Sequence, residues 1–140
     1  MSLQLLCSAI RTRCTGDTGA GGLFETGAPL VTGFYTLAPP QAGYTFPFIL
    51  LVPVADSEDK VFATAQRSQE YLLQFSVFVD RTSTLAAGQT IIDRLQVRVD
   101  RWAPTVAGWS PSQLIRTGGR VFEDDESRHW VEEYFIRLSK

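Results

Sequence analysis

The stretch from Gln69 to Trp102 passes from a strand-like to a helix-like pattern within a few residues, which limits the folds open to this chain. Apolar side chains first occupy every second position, at Tyr71, Leu73, Phe75, Val77 and Val79. Successive side chains of a strand point to opposite faces, so this alternation is typical of a half-buried strand. Gln74 and Ser76 interrupt the other face, which the sequence therefore indicates to be polar.

The second half of this stretch has the spacing of an amphipathic helix. The joint Arg81-Thr82-Ser83 offers hydroxyl groups suited to capping a helix N-terminus. Apolar residues then recur at intervals of three and four, at Ile92, Leu95, Val99 and Trp102. One apolar stripe predicts that the helix packs back onto the sheet.

The other periodic segments complete one predicted domain over residues 1–140. An N-terminal helix that stops near Gly16 is indicated by an apolar face made of Leu3, Leu6, Cys7, Ile10 and Cys14. A strand at Phe46–Val54, apolar at nearly every position, reads as central, and Leu114–Glu123 with Trp130–Leu138 reads as a closing hairpin. This order predicts an α+β domain, with a mainly antiparallel sheet of about four strands and two helices packed on one face.

Long loops separate these elements. The glycine-rich segment Gly16–Gly33 exceeds the length of an ordinary connection, and such loops often bind something. Phe34–Leu37 has the composition of a short strand, and Asp56–Arg67 reads as a hairpin extension or flap. Ala103–Pro111 predicts a loop that presents one large aromatic side chain, Trp109.

Composition excludes several functional classes. The 140 residues are 44% hydrophobic, which excludes a disordered chain. The net charge of -2 shows that the chain lacks the basic surplus of a tight nucleic-acid binder. Its longest apolar run, Phe46–Ala55, is about half of the ~20 residues that span a membrane. The N-terminus lacks the pattern of a signal peptide, so we expect no secretion. Cys7 and Cys14 lie ~10 Å apart on a helix, too far for a disulfide.

Two residues are candidates for catalysis. Asp17-Thr18-Gly19 matches the aspartic-protease triplet, but it follows a helix instead of ending an apolar strand, so a glycine-rich turn is the favoured interpretation. His129 is the only histidine, and its sequence neighbours supply neither an acidic orienter nor a second metal ligand. The neighbouring Glu132 and Glu133 point to opposite faces of a strand. We therefore predict no catalytic residue, no metal and no cofactor, and expect a protein that works through its surfaces.

The order of elements resembles the tail completion, or tail terminator, proteins of long-tailed bacteriophages, also described as head-tail joining proteins. Four features carry this resemblance across most of the chain: the N-terminal helix, the strand entered through Phe46-Pro47-Phe48-Ile49, the strand from Leu73 to Val79 that leads into the Ala86-to-Trp102 helix, and the hairpin with its acidic turn at Asp124-Asp125. The resemblance implies a homo-oligomeric, hexameric ring that caps the tail tube, ends its polymerisation and joins it to the head.

The implied partners are further copies of the chain, the tail tube protein, a neck or head-completion protein, and genomic DNA that passes through the lumen without specific binding. The implied location is the head-tail junction of a virion, after synthesis in the host cytoplasm, with no membrane partner. One alternative is a neck or head-completion adaptor at the same junction. A more remote alternative, from another class, is a small hydrolase that uses Asp17 or His129.

Loop aromatics and nearby charges are the candidate interface residues of such an assembly. They are Leu23, Phe24, Phe34, Tyr35, Lys60, Phe62, Arg67 and Trp109. The competing interpretation is that the apolar members anchor their loops to the core and that the charged members are simply solvated.

Overall fold

The computed structural model describes the backbone of residues 2–40, 43–60, 67–123 and 127–140, and the side chains of these residues except 56–60 and 67. The elements in chain order are α1 Ser2–Thr15, β1 Gly33–Thr36, β2 Phe48–Lys60, β3 Arg67–Asp80, α2 Leu85–Val99, β4 Ser110–Pro111, β5 Ile115–Glu123 and β6 Ser127–Ser139. The strands form one strongly curled sheet in the order β1-β2-β3-β6-β4, and β5 also pairs with β6.

The α+β class and the two helices are confirmed, but the expected sheet of about four mainly antiparallel strands is wrong in two respects. The described part of the chain has six strands, and β1 runs parallel to β2, with Gly33 opposite Phe48. One of the two additional strands, β1, matches the short strand expected at Phe34–Leu37, whereas the other, β4, contains only two residues. Alternation needs several residues to be recognised, so a strand as short as β4 leaves little trace in a sequence.

The strand β3 is an interior strand of the sheet, and one of its faces packs in the hydrophobic core. It pairs antiparallel with β2 on one side and with β6 on the other. Its predicted apolar face is buried, and so are the β6 residues Trp130, Tyr134, Ile136 and Leu138 that point the same way. Glu132 shares this buried face whereas Glu133 does not, which confirms that the two carboxylates point apart.

The N-cap of helix α2 lies one residue after the predicted joint. Thr84 is the N-cap, and its hydroxyl accepts a hydrogen bond from the Ala87 amide at 3.2 Å. The buried stripe consists of Gly88, Ile91, Ile92, Leu95 and Val99. The helix ends at Val99, and Arg101 takes a positive φ of 59°. Trp102 therefore lies beyond the helix, where it still packs against the core.

The helix α1 packs against α2 and β1 and buries most of its predicted face. Cys7 and Cys14 are free and buried, as expected from their spacing. Burial raises the pKa of Cys7 to about 11 and that of Cys14 to about 12, so both thiols stay protonated at neutral pH. Within the described part of the chain, neither helix has the length and apolar character needed to cross a membrane.

The predicted flap between β2 and β3 is largely sheet. The two strands remain paired as far as Lys60 and Arg67, with one register shift between Pro53 and Ala55. Residues 61–66 lie outside the described part of the chain. The antiparallel pairing of the described residues matches the hairpin extension expected there.

Candidate interaction surfaces

The structure separates the predicted interface residues into buried and accessible ones. Leu23 and Phe34 belong to the hydrophobic core, where each is almost fully shielded from solvent. They anchor the glycine-rich loop and β1, so their side chains are not available at the surface of the isolated chain. For these two residues the structure matches the competing interpretation of the sequence, in which loop aromatics and aliphatics pack locally.

The remaining members lie nearer the surface. Phe24 and Trp109 pack against the core while staying partly exposed, and the ammonium of Lys140 lies 4.9 Å from the Trp109 ring centre. Tyr35 is half-buried edge-on to Phe48. Lys60 and Arg67 form the last described pair of the β2–β3 ladder, and Phe62 lies outside the described residues. A role for any of them in an interface stays a prediction.

The carboxylate of Asp17 fastens the glycine-rich loop to α2. Asp17 is 4% exposed; it accepts the Leu23 amide at 2.9 Å and the Arg94 guanidinium at 2.7 and 2.5 Å, and Arg98 lies 3.9 Å away. The hydrogen bond from Arg94 is the main cause of the lowered pKa of Asp17. Gly22 permits this fold, since a Cβ there would lie 2.3 Å from the Asp17 carbonyl oxygen. An ionised, arginine-bound carboxylate is poorly suited to share a proton with a second carboxylate.

A second buried carboxylate ties β6 to α2 and β5. Glu132 is 2% exposed and accepts hydrogen bonds from Arg116 at 2.6 Å and from the Gln96 amide at 2.7 Å. The ion pair raises the pKa of Arg116. Gly119 leaves room for the pair, because a Cβ there would lie 2.5 Å from the Glu132 carboxylate. These contacts join β6 to α2 and β5. They also pair the buried Glu132 carboxylate, since a buried charge is costly unless it has a partner.

The opposite face of the sheet carries a row of stacked rings, which we call the aromatic row: Phe48, Phe78, His129 and Phe122. These residues are directly paired across β2, β3, β6 and β5. Successive ring centres lie 4.8, 4.7 and 5.1 Å apart, and successive ring planes are inclined by 20° to 29°. Neither described helix covers this face. Ser76 and Val131 are nevertheless buried there.

Further groups extend the aromatic row at both ends. Beside β2, Phe46 stacks on Phe48 at 5.7 Å, and Tyr44 contacts both rings edge-on. Beside β5, the guanidinium of Arg120 lies 5.1 Å from the Phe122 ring centre. The row therefore crosses the sheet and ends in an exposed tyrosine on one side and an arginine-capped phenylalanine on the other.

Sequence reasoning missed this row and both buried ion pairs. A local signal for the row exists, because Phe78 shares the parity of Gln74 and Ser76 and so marks an aromatic side chain on the face that was read as polar. The alignment of the four rings depends on strand register and has no local signal. Asp17 and Arg94 are separated by 77 positions, so no spacing rule joins them.

Comparison with known proteins gives a match at the level of fold. No protein-family model matches the sequence, and no curated protein does. A chain from the virion of a native gene transfer agent particle superposes with a TM-score of 0.72 at 12% identity, covering 99% of this chain and 98% of that one. A second solved chain superposes with a TM-score of 0.65 at 13% identity, covering 99% and 96%. The chain thus has, over its whole length, the fold of a component of a phage-like virion.

Proposed function

We propose that this chain is a structural protein of a phage-like virion, and that within the virion it forms an oligomeric ring that ends the tail tube and joins it to the head. The observation that carries the proposal is the end-to-end likeness to a chain of a gene transfer agent virion. This likeness covers 99% of this chain and 98% of the other.

The surfaces of the chain fit assembly better than catalysis. The open sheet face exposes aromatic and aliphatic side chains, which is the kind of surface that proteins use to meet other proteins. The hydrolase alternative has less support, because the Asp17 carboxylate is bound by Arg94 on the helix side of the sheet, whereas His129 lies in the aromatic row on the other face. Separated by the sheet, the two groups cannot act on one substrate atom.

The ring-forming role adds requirements that this fold can meet. A closed ring needs two different, complementary surfaces on each copy, related by a rotation that closes. A net charge of -2 suits a lumen through which a polyanion slides, since fixed positive charge would retain DNA. Partners in this role are the tail tube on one side and a neck or head-completion protein on the other.

Mass photometry of the purified chain, together with imaging of particles that contain a tagged copy, tests this function. We expect an oligomer near six times the 15.6 kDa chain mass and a label confined to the head-tail junction. Cross-linking inside particles separates the tail terminator from the neck adaptor, because the former must react with tube protein. A chain that stays monomeric and is missing from purified particles would refute the proposal.

A further inference from the structure

The two ends of the aromatic row are both accessible and chemically different. Phe122, at the β5 end, is 41% exposed and lies under the guanidinium of Arg120. Tyr44, at the β2 end, is 39% exposed and presents a phenol ring that its neighbours contact only edge-on. A ring face is electron-rich and attracts a guanidinium, so the two ends are electrostatically complementary.

A cavity of about 330 Å³ opens on the sheet face beside Phe122. Its lining consists of Gln74, Arg120, Phe122, Glu123, His129 and Val131. This volume is at the lower end of the ~300–1,000 Å³ range of ligand pockets, which suits a single aromatic side chain. The Arg120 guanidinium in this lining attracts the electron-rich face of an aromatic ring, and the exposed ring of Tyr44 supplies one.

The tyrosine that fits this cavity must come from another copy of the chain. Phe48 and Phe122 are three strand spacings apart, about 14 Å at ~4.8 Å per spacing, and Tyr44 contacts the Phe48 end. Tyr44 therefore cannot occupy the cavity of its own chain. In a second copy placed beside the first, the Tyr44 end of one row can meet the Phe122 end of the next.

We propose that the aromatic row is the head-to-tail contact between copies, with Tyr44 of one copy seated in the cavity of its neighbour, against the Arg120 guanidinium. A contact between two different surfaces repeats around an axis and closes a ring when the rotation permits. This inference rests on the proposed function, because it identifies which surfaces of the ring subunit meet.

Engineered thiols test the contact in chains that keep Tyr44, Arg120 and Phe122. Thr45→Cys places a thiol beside Tyr44, Glu123→Cys places one at the cavity rim, and the native cysteines are buried and protonated. The two full-length variants, one carrying a size tag, are mixed and treated with a short bifunctional thiol reagent. We expect a mixed dimer in clear excess over the dimers that either variant forms alone. Adding Tyr44→Ala to the Thr45→Cys chain should reduce the yield of mixed dimer by about tenfold or more.

Leu85→Cys, on the exposed start of α2, serves as the matched control in place of Thr45→Cys. Circular dichroism of each variant establishes that it is folded before the reaction. Oligomers that form while the mixed pair reacts no faster than the Leu85 control would overturn the contact and leave the proposed function standing. Preferential self-linking of the Thr45→Cys chain would indicate a two-fold contact and also overturn it. A strict monomer without cross-links would overturn both proposals.

Discussion

Both faces of the sheet carry aromatic side chains, but these pack in a closed core on one face and stay accessible on the other. On the helix side, β3 contributes Phe75, which is fully buried and packs edge-on against Tyr134 under both helices. Three residues later, Phe78 stacks between Phe48 and His129 on the face that neither described helix covers. One face therefore holds the domain together, whereas the other keeps preformed aromatic surface accessible. A protein that assembles through this sheet would need both.

The largest predicted loss of stability follows the removal of the Phe75 ring, and the removal of the Phe78 ring is the comparison. Phe75→Ala removes a ring from a closed core and should lower the free energy of unfolding by about 3–5 kcal/mol. Phe78→Ala opens a site that solvent can partly fill, so we expect a loss of about 1–2 kcal/mol. Urea unfolding followed by circular dichroism measures both. Equal losses would contradict the distinction between the two faces.

Breaking the buried ion pair on the helix side should have the next largest effect. Asp17→Asn leaves the Arg94 guanidinium without its carboxylate and should cost about 3 kcal/mol, at the lower end for a buried pair because Arg94 is partly exposed. Asp93→Asn is the matched control, since Asp93 is an exposed carboxylate on α2 that contacts Gln89. We expect the control to change stability by no more than about 0.5 kcal/mol.

Acid titration supplies an independent readout of the same pair. The pKa of Asp17 is lowered in the folded chain, chiefly by the Arg94 hydrogen bond, from an ordinary value of 3.8. The stabilisation that the Asp17 carboxylate contributes is therefore complete above its pKa in the unfolded state. It is lost as the pH falls through the pKa of Asp17 in the folded state. As the pH falls below about 5, the parent should lose more stability than Asp17→Asn. Parallel curves of unfolding free energy against pH for the parent and Asp17→Asn would show that the ion pair does not stabilise the fold.

How much of this could be predicted depends on whether the signal is local. The covered faces of β3 and α2 follow from alternation and from spacings of three and four, because burial repeats with the period of the element. The prediction that β2 is a central strand is confirmed, since β2 pairs with β1 and β3; Ile49 and Leu51 point into the core, and Phe48 is shielded by rings on the other face. The strand β4, the ion pairs and the alignment of the aromatic row depend on register and long-range contacts, which one sequence does not encode locally.

A smaller effect is expected where α2 crosses Trp130. A Cβ at Gly88 would lie 2.2 to 2.5 Å from the indole ring, so Gly88→Ala must push the helix or the ring aside. Alanine favours a helix by about 1 kcal/mol over glycine, but overpacking costs about 1–3 kcal/mol, and we expect a net loss of about 1 kcal/mol. Gly118→Ala is the control, since nothing lies within 4 Å of its Cβ position. A more stable Gly88→Ala variant would show that α2 is not held against Trp130.

The smallest effect on stability, and the sharpest test of the difference between the faces, comes from two exposed cation–aromatic pairs. Arg120→Ala at the end of the aromatic row and Lys140→Ala beside Trp109 remove comparable contacts, at 5.1 and 4.9 Å. Each should change the free energy of unfolding by no more than about 0.5–1 kcal/mol, because both cations are near water. Self-association should separate them. In the proposed contact Arg120 faces the Tyr44 ring of the next copy away from solvent, so the loss of Arg120 should weaken association by about tenfold, whereas Lys140→Ala should leave association unchanged. Sedimentation at several concentrations measures this, and an equal response of the two variants would place the contact between copies elsewhere than the open face.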